Sequence, residues 1–162
     1  MKVLTLDTPV RAAVLYSTVS ADDADILGRW GLGCIGDIEA GENQLGCNSS
    51  DVVPLDLPPE LIQAYYEASL DPHMMALTSP IHNLELVHVP IQIHYGTKDG
   101  LTMGGTPPEW SRKLFDALED AGLPAEIYGY DDEGHSFVGD SRVAFMERSA
   151  HLYDEYVKPA AP

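Results

Sequence analysis

Three short apolar runs, each rich in residues that favour strands, most constrain the fold of this 162-residue chain. They are RAAVLYST at 11–18, VPIQIHY at 89–95 and AEIYGYD at 125–131. Prolines, glycines or acidic residues bound each run, and each has the length of a buried strand. Helical patterns lie between the runs and after the last one. Strands that alternate with helices predict a parallel sheet with right-handed crossovers.

The spacing of apolar residues predicts three helices, at residues 58–70, 106–122 and 141–157. The second is the clearest, because Thr106 and Glu109 fit a capping box, Pro107 fits the first turn and Gly122 fits the end. The apolar stripes expected to face the sheet are Trp110, Leu114, Leu118 and Ala121 in the second helix, and Val143, Met146, Ala150, Tyr153 and Val157 in the third.

The region between the first two strands lacks this regularity. Residues 28–58 are rich in Gly, Asn, Ser and Asp, which predicts a long loop. Residues 28–85 are therefore interpreted as an irregular insert that includes the first helix. The length suits one core, so we expect residues 1–162 to form a single α/β layered domain, with a small parallel sheet flanked by helices.

The charge balance excludes some partners. There are 26 acidic and 9 basic residues, for a net charge of −17. Nucleic acid and anionic membrane surfaces are disfavoured, because their phosphates would be repelled. No apolar run is long enough to span a membrane, and the N-terminus makes a poor signal peptide, so we expect a cytoplasmic protein. Cys34 and Cys47 are then expected to be free thiols.

Two loops place chemically useful side chains at one edge of the predicted sheet. Asp99 lies in YGTKDG, after the second strand, and His135 lies in DDEGHSF, after the third. Parallel neighbours lie ~5 Å apart, and ligands bind at the carboxyl ends of such strands. A carboxylate that accepts a hydrogen bond from one imidazole nitrogen leaves the other nitrogen free to act as a base. The two loops together predict an Asp99–His135 dyad.

The residues around this dyad also resemble a known family. The stretch from SPIHNLELVHVPIQIHYGTKDG through EWSRKLFDALEDAGLPAEIYGYDDEGHSF is similar to the C-terminal part of the α/β-hydrolase fold, in its prolyl-oligopeptidase-like and dienelactone-hydrolase-like branches. The resemblance implies that Asp99, in a G-x-x-D loop that begins at Gly96, is the catalytic acid. It implies that His135, in a loop similar to G-E-G-H, is the catalytic histidine.

The chain departs from that family at the nucleophile. The family's serine lies in G-x-S-x-G on a sharp turn, and no serine here has both glycines: Ser17, Ser20, Ser49, Ser50, Ser69, Ser79, Ser111, Ser136, Ser141 and Ser149. By the resemblance, the turn would lie just before Met1. We therefore expect the C-terminal portion of a serine hydrolase of esterase or peptidase type, without a cofactor, and weak or inactive alone.

A second hypothesis rests on histidines and methionines between residues 73 and 94. Imidazole and thioether ligands together suit copper, and His73, Met74 and His82 could converge from a flexible stretch. The chain would then be a hydrolase remnant that acts as an oligomeric copper-binding protein, and oxidoreductase activity is a further part of this hypothesis. The plainer interpretation is that the methionines fill the core and that His94 packs within its strand. A binding module without chemistry is the third class.

The first strand also predicts association. In the resembling fold, the strand at 11–18 lies beside the strand that leads to the nucleophile, which is missing here. An apolar strand with a free edge and one charge, at Arg11, is poorly protected against pairing. We expect a homo-oligomer formed through residues 11–18, with Val14 and Tyr16 near the contact. A missing N-terminal half of the hydrolase is the other candidate partner.

Overall fold

The computed structural model describes residues 1–6, 9–30, 58–102 except 59, 62, 63, 65, 66 and 69, and 104–158. Several sequence predictions fall outside these residues. They concern Cys34, Cys47, Ser49, Ser50 and most of the loop predicted at 28–58.

Three parallel strands form one sheet in the order β1-β2-β3. They are β1 (Ala13–Tyr16), β2 (Ile91–Gly96) and β3 (Ala125–Tyr130). The α-helices with resolved bounds are α1 (Asp23–Trp30), α2 (Pro72–Thr78), α3 (Pro108–Asp120) and α4 (Gly139–Tyr156). Short 3₁₀ helices span Lys2–Thr5, Pro80–His82 and Leu84–Leu86. The parallel sheet flanked by helices confirms the predicted fold class.

An aliphatic core lies between the sheet and α3. Leu15, Ile93 and Ile127 form one row across the three strands, because the register places them opposite one another. Leu114 and Leu118 of α3 pack against Ile91 and Ile93 and are almost fully buried. These strand positions alternate, and the helix positions are four residues apart, so each element presents one apolar face to the other.

Helix α3 ends as the sequence predicts, but it does not begin with the predicted cap. Gly122 ends the helix as predicted: its φ is +69°, its N–H donates to the Glu119 carbonyl, and the N–H of Leu123 donates to the Leu118 carbonyl. That is a Schellman motif. The predicted capping box is wrong, because the N-cap residue is Pro107 and no side chain caps the helix. Ala121 is exposed, so it does not extend the buried stripe.

Helix α4 covers the opposite face of the sheet, but not with its predicted stripe. Val143, Met146, Tyr153 and Val157 remain 41–57% exposed, and Ala150 is also exposed, whereas Ser149 and Leu152 are buried. The reason lies in the sheet face, where Tyr16, His94 and Tyr128 replace aliphatic side chains. The helix contacts this face through Phe145 and Arg148.

The described residues between 28 and 85 include regular elements besides the predicted helix at 58–70. Helix α1 extends to Trp30, and α2 begins after Asp71, whose carboxylate accepts a hydrogen bond from the N–H of His73 at 2.9 Å. Two of the 3₁₀ helices follow α2. The described residues of the helix predicted at 58–70 include five helical positions: Glu60, Leu61, Ala64, Glu67 and Ala68. Among the described segments, no helix has the length and apolar character needed to cross a membrane.

Candidate active site

The carboxylate of Asp99 lies at the carboxyl end of β2, in a ring of hydrogen-bond donors. Its Oδ1 accepts from the N–H groups of Gly100 (2.8 Å) and Thr106 (3.0 Å). Its Oδ2 lies 2.6 Å from the Thr106 hydroxyl and 3.0 Å from Nδ1 of His135. Only 2% of the Asp99 side chain is exposed. A buried carboxylate with this many donors is held in one orientation.

The imidazole of His135 follows β3 and turns one nitrogen to Asp99 and the other outward. The Nδ1–Oδ2 distance of 3.0 Å confirms the predicted proximity of the two side chains. Because the carboxylate accepts, Nδ1 carries the proton and Nε2 is left as a base. The His135 side chain is 58% exposed. Within the described residues, Nε2 has no hydrogen-bond partner.

Hydrogen bonds from backbone N–H groups join the two loops. The N–H of Lys98 donates to the Glu133 carbonyl at 2.8 Å, and the N–H of Asp132 donates to the Thr97 hydroxyl at 3.0 Å. Gly96 lies where the loops cross, and an added Cβ would be 2.3 Å from the carbonyl oxygen of Gly134. The absence of a side chain at Gly96 therefore allows the histidine loop to lie directly on the end of β2.

Thr106 is a site residue that the sequence analysis missed, because its pattern resembled a helix cap. Its hydroxyl lies 2.6 Å from Oδ2 of Asp99 and 3.1 Å from the carbonyl oxygen of Ser17. The hydroxyl has one proton for these two acceptors. The shorter distance and the charge of the carboxylate favour donation to Asp99. No signal in the sequence separates this role from capping, since both need a short hydroxyl side chain before a helix.

Tyr16 is a second site residue that was missed. Its hydroxyl accepts a hydrogen bond from the N–H of Phe137 at 2.9 Å, and its ring contacts Phe137 and Phe145. The histidine loop is thereby tied to β1 as well as to β2. The alternation of side chains along β1 places Tyr16 on the face covered by α4, but it carries no information about the partner of the hydroxyl.

Ser17 deserves comparison with a nucleophile because its backbone is unusual. It follows β1 with a φ of +40°, and its buried hydroxyl is the one buried side-chain polar atom in the described residues without a partner. Its carbonyl contacts Thr106, which lies beside Nδ1 of His135. A nucleophile must instead approach Nε2, on the other side of the ring. In the described residues, no serine side chain makes a hydrogen bond with His135.

The candidate metal ligands occupy a different part of the molecule. His73 and Met74 lie in the first turn of α2, and His82 ends a 3₁₀ helix, where it lines a shallow cleft with Asp22 and Met75. In the part of the chain that the structure describes, no group of three or more His, Cys, Asp or Glu side chains could hold a metal ion. The copper hypothesis, which also uses Met74, remains a prediction that metal analysis of the purified protein would test.

The sequence comparison decides the family. Residues 62–161 match the dienelactone hydrolase family. This chain belongs to the dienelactone hydrolase family. The match includes β2, β3, α3 and α4, together with both site loops. No protein in the curated set of sequences matches the chain.

Solved structures of larger proteins show the same fold. A puromycin-hydrolyzing peptidase of Mycobacterium tuberculosis is 18% identical and superposes with a TM-score of 0.60 over 95% of this chain. A puromycin hydrolase is 22% identical, with a TM-score of 0.59 over 93% of the chain. An acylaminoacyl peptidase is 16% identical, with a TM-score of 0.58 over 99% of the chain. The chain spans only 19%, 19% and 22% of those proteins, respectively. Over this part of their length, the chain has the same α/β-hydrolase fold.

Proposed function

We propose that this chain supplies the acid and the base of a serine hydrolase triad of esterase or peptidase type. Asp99 orients the imidazole, and Nε2 of His135 accepts the proton of a serine provided by a polypeptide segment outside the described residues. The same nitrogen then returns the proton to the leaving group. Acyl transfer also needs an oxyanion hole, which we assign to that same segment.

The Asp99–His135 hydrogen bond is the observation that carries this proposal. An isolated loop histidine has no reason to meet a buried carboxylate that already has three other donors. Here the Nδ1–H tautomer is set by Asp99, and Nε2 faces away from it toward the exposed side of the site. That is the geometry required of a general base that receives a proton from an approaching hydroxyl.

A fluorophosphonate probe provides the test, because it labels a serine only when a base activates it. The 162-residue chain would be compared with the product of any longer reading frame that contains it. We expect no stoichiometric labelling of the chain alone. We expect one labelled serine in the longer product, in a G-x-S-x-G sequence, and loss of that label in His135→Gln and Asp99→Asn.

His151→Gln is the matched control, because His151 is an exposed histidine on α4 and should leave labelling unchanged. Labelling of one serine in the 162-residue chain that disappears in His135→Gln would contradict the proposal, since the nucleophile would then be on this chain. Labelling of the longer product that survives His135→Gln would contradict the assigned base.

We also propose that the chain alone associates through residues 11–18. The N–H groups of Ala13 and Ser17 donate to carbonyls beside and within β2, so the backbone groups of Val14 and Tyr16 face the outer edge of the sheet. Phe145 of α4 contacts Tyr16, and Met146 lies about 100° further around the helix. The exposed apolar stripe of α4 therefore lies on the same side as this edge.

Antiparallel pairing of two β1 edges about a two-fold axis normal to the sheet would place both stripes side by side. Light scattering at micromolar concentration should then give a multiple of the 17.6 kDa chain mass. A mass of one chain would contradict association of the isolated chain. Val14→Pro removes an N–H that faces this outer edge, and it should dissociate or aggregate the protein if the edge is paired.

A further inference from the structure

We propose that Arg29 of α1 is a positioning residue that holds the Asp99 loop closed around its own carboxylate. The inference rests on the proposed function, because that function makes Asp99 the acid that needs to be positioned. Arg29 lies 70 positions before Asp99 in the sequence and outside the family motif. Only the fold brings it to the site.

The guanidinium of Arg29 donates to three carbonyl oxygens of one loop. Nη2 lies 2.8 Å from the Gly100 oxygen and 2.6 Å from the Thr102 oxygen, and Nε lies 3.1 Å from the Gly105 oxygen. These carbonyls come from both ends of the loop. A planar group with five donors in fixed directions can join three acceptors at once, whereas an ammonium group on a flexible stem lacks this preorganisation.

One peptide group connects Arg29 directly with Asp99. The carbonyl of Gly105 accepts from Arg29, and the N–H of the same peptide bond, which belongs to Thr106, donates to Oδ1 of Asp99. Because a peptide group is planar, fixing its oxygen also fixes the direction of its N–H. The positive guanidinium and the negative carboxylate lie at opposite ends of this peptide, and each strengthens the hydrogen bond made by the other.

The loop needs such a clamp because glycines form its two ends. Gly100 has a φ of +82°, and a Cβ at Gly105 would be 2.6 Å from the Gly100 nitrogen and 2.8 Å from Oδ1 of Asp99. Glycine permits this close approach but gives it no rigidity. The support comes from α1, where Trp30 packs edge-on against Trp110 of α3 at 5.3 Å between ring centroids. The clamp is thus mounted on a helix that is packed against another helix.

Two measurements on the 162-residue protein test the clamp without requiring hydrolysis. Amide hydrogen exchange reports on the N–H groups of Gly100 and Thr106, and long-range ¹H–¹⁵N correlation spectra report which nitrogen of His135 is protonated. In Arg29→Gln we expect exchange at these two amides to accelerate about tenfold or more, since hydrogen bonds to a charged group are lost. We expect His135 to change from the Nδ1–H tautomer to a mixture. Arg29→Lys should restore only part of the protection.

Arg112→Gln is the matched control, because Arg112 is a partly exposed arginine on α3 that contacts Tyr95 and Glu109 rather than the loop. Unchanged exchange and an unchanged tautomer in Arg29→Gln would overturn the inference. Loss of protection across β2 and α3 as well would also overturn it, because Arg29 would then support the whole fold. Neither result bears on fluorophosphonate labelling, so the inference and the proposed function can fail separately.

Discussion

The two faces of the sheet are built in different ways. The face under α3 is aliphatic, and its side chains make no hydrogen bonds: Leu15, Ile91, Ile93, Ile127, Leu114 and Leu118. The face under α4 combines aromatic rings with polar groups: Tyr16, Gln92, His94, Glu126, Tyr128 and Tyr130. Because side chains alternate along a strand, the same three strands supply both faces.

The polar face is ordered by a directional chain of hydrogen bonds. The amide nitrogen of Gln92 donates to Glu126 at 2.8 Å, so the amide oxygen of Gln92 is turned to Nε2 of His94, at 2.7 Å. His94 Nε2 must then carry the proton, and Nδ1 accepts from the Tyr130 hydroxyl at 2.9 Å. Every polar atom in this chain has a partner when His94 is neutral. Buried and neutral, His94 holds a fixed tautomer.

The two faces therefore differ in how far pH should affect the interactions that stabilise them. Apolar burial under α3 is non-directional and carries no charge, so pH should barely affect it. The α4 face places a fully buried imidazole beside the Arg148 guanidinium, which lies 4.2 Å from the Tyr128 ring centroid. Burial first, and then the positive charge of Arg148, lower the pKa of His94 to about 4, with partial opposition from Glu126.

The largest effect should come from the aliphatic face. Leu114→Ala leaves a cavity against Ile91 and Ile93, and we expect it to lower the free energy of unfolding by about 2–5 kcal/mol. Urea denaturation followed by circular dichroism would measure it. The difference from the unmodified protein should be the same at pH 5 and pH 7. The exposed Leu101 offers the control, since Leu101→Ala should change stability little. If the loss of unfolding free energy in Leu114→Ala depended strongly on pH, the proposed difference between the two faces would be wrong.

The next effect concerns pH and the α4 face. In the unfolded chain His94 should titrate near 6.5, whereas in the folded protein its pKa is about 4. Between these values the unfolded chain binds a proton that the folded protein does not. The contribution of His94 to stability is therefore fully present above pH 6.5 and is lost as the pH drops toward 4, by about 3 kcal/mol in total.

His94→Phe isolates this contribution, because the ring can still stack on Tyr128 but cannot titrate. The variant should be less stable at pH 7, since Gln92 and Tyr130 lose a partner, and the difference from the unmodified protein should shrink toward pH 4.5. His151→Gln, on the exposed side of α4, should leave the pH profile unchanged. A constant difference for His94→Phe across this range would show that His94 is not the titrating group.

A smaller effect should come from Arg148. Its guanidinium lies over the rings of Tyr128 and Tyr130, and Arg148→Met should cost about 1 kcal/mol through loss of this contact. Removing the positive charge should also raise the pKa of His94, so the fall in stability between pH 6.5 and pH 4 should become shallower. Arg148→Lys, which keeps the charge, should retain the steeper fall. Histidine titration by NMR would distinguish the two variants.

The smallest effect should come from the outer side of α4. Met146→Gln changes an exposed residue that contributes to neither face, and we expect a change within about 0.5 kcal/mol for an unassociated chain. A larger loss, with a lower mass by light scattering, would place Met146 in the contact between copies. The urea midpoint measured at two protein concentrations separates these cases, because only an associated protein becomes more stable with concentration.

The same contrast explains what the sequence could predict. The α3 face was readable because Leu114 and Leu118 repeat with the period of a helix and Ile91 and Ile93 with that of a strand. The stripe on α4 was assigned wrongly because periodicity locates an apolar face but does not identify its partner. On this face, rings and polar groups contact Phe145 and Arg148 instead.

For the site, the order of the loops predicted Asp99 and His135, since parallel strands place their carboxyl ends together. Thr106 and Arg29 could not be predicted. Thr106 has the sequence context of a helix cap. Arg29 lies at the end of α1, within the glycine-rich stretch at 28–58 that was predicted to be a loop. Their roles depend on tertiary distances, which no local pattern encodes.

The close packing around Gly96 limits which amino acids position 96 can tolerate. Every other amino acid would place a carbon atom too close to the Glu133 and Gly134 carbonyl oxygens. The obstacle is backbone rather than a movable side chain, so a neighbouring substitution cannot relieve it. In a library of random variants, position 96 should therefore be among the least tolerant positions for any property that requires the two loops to meet.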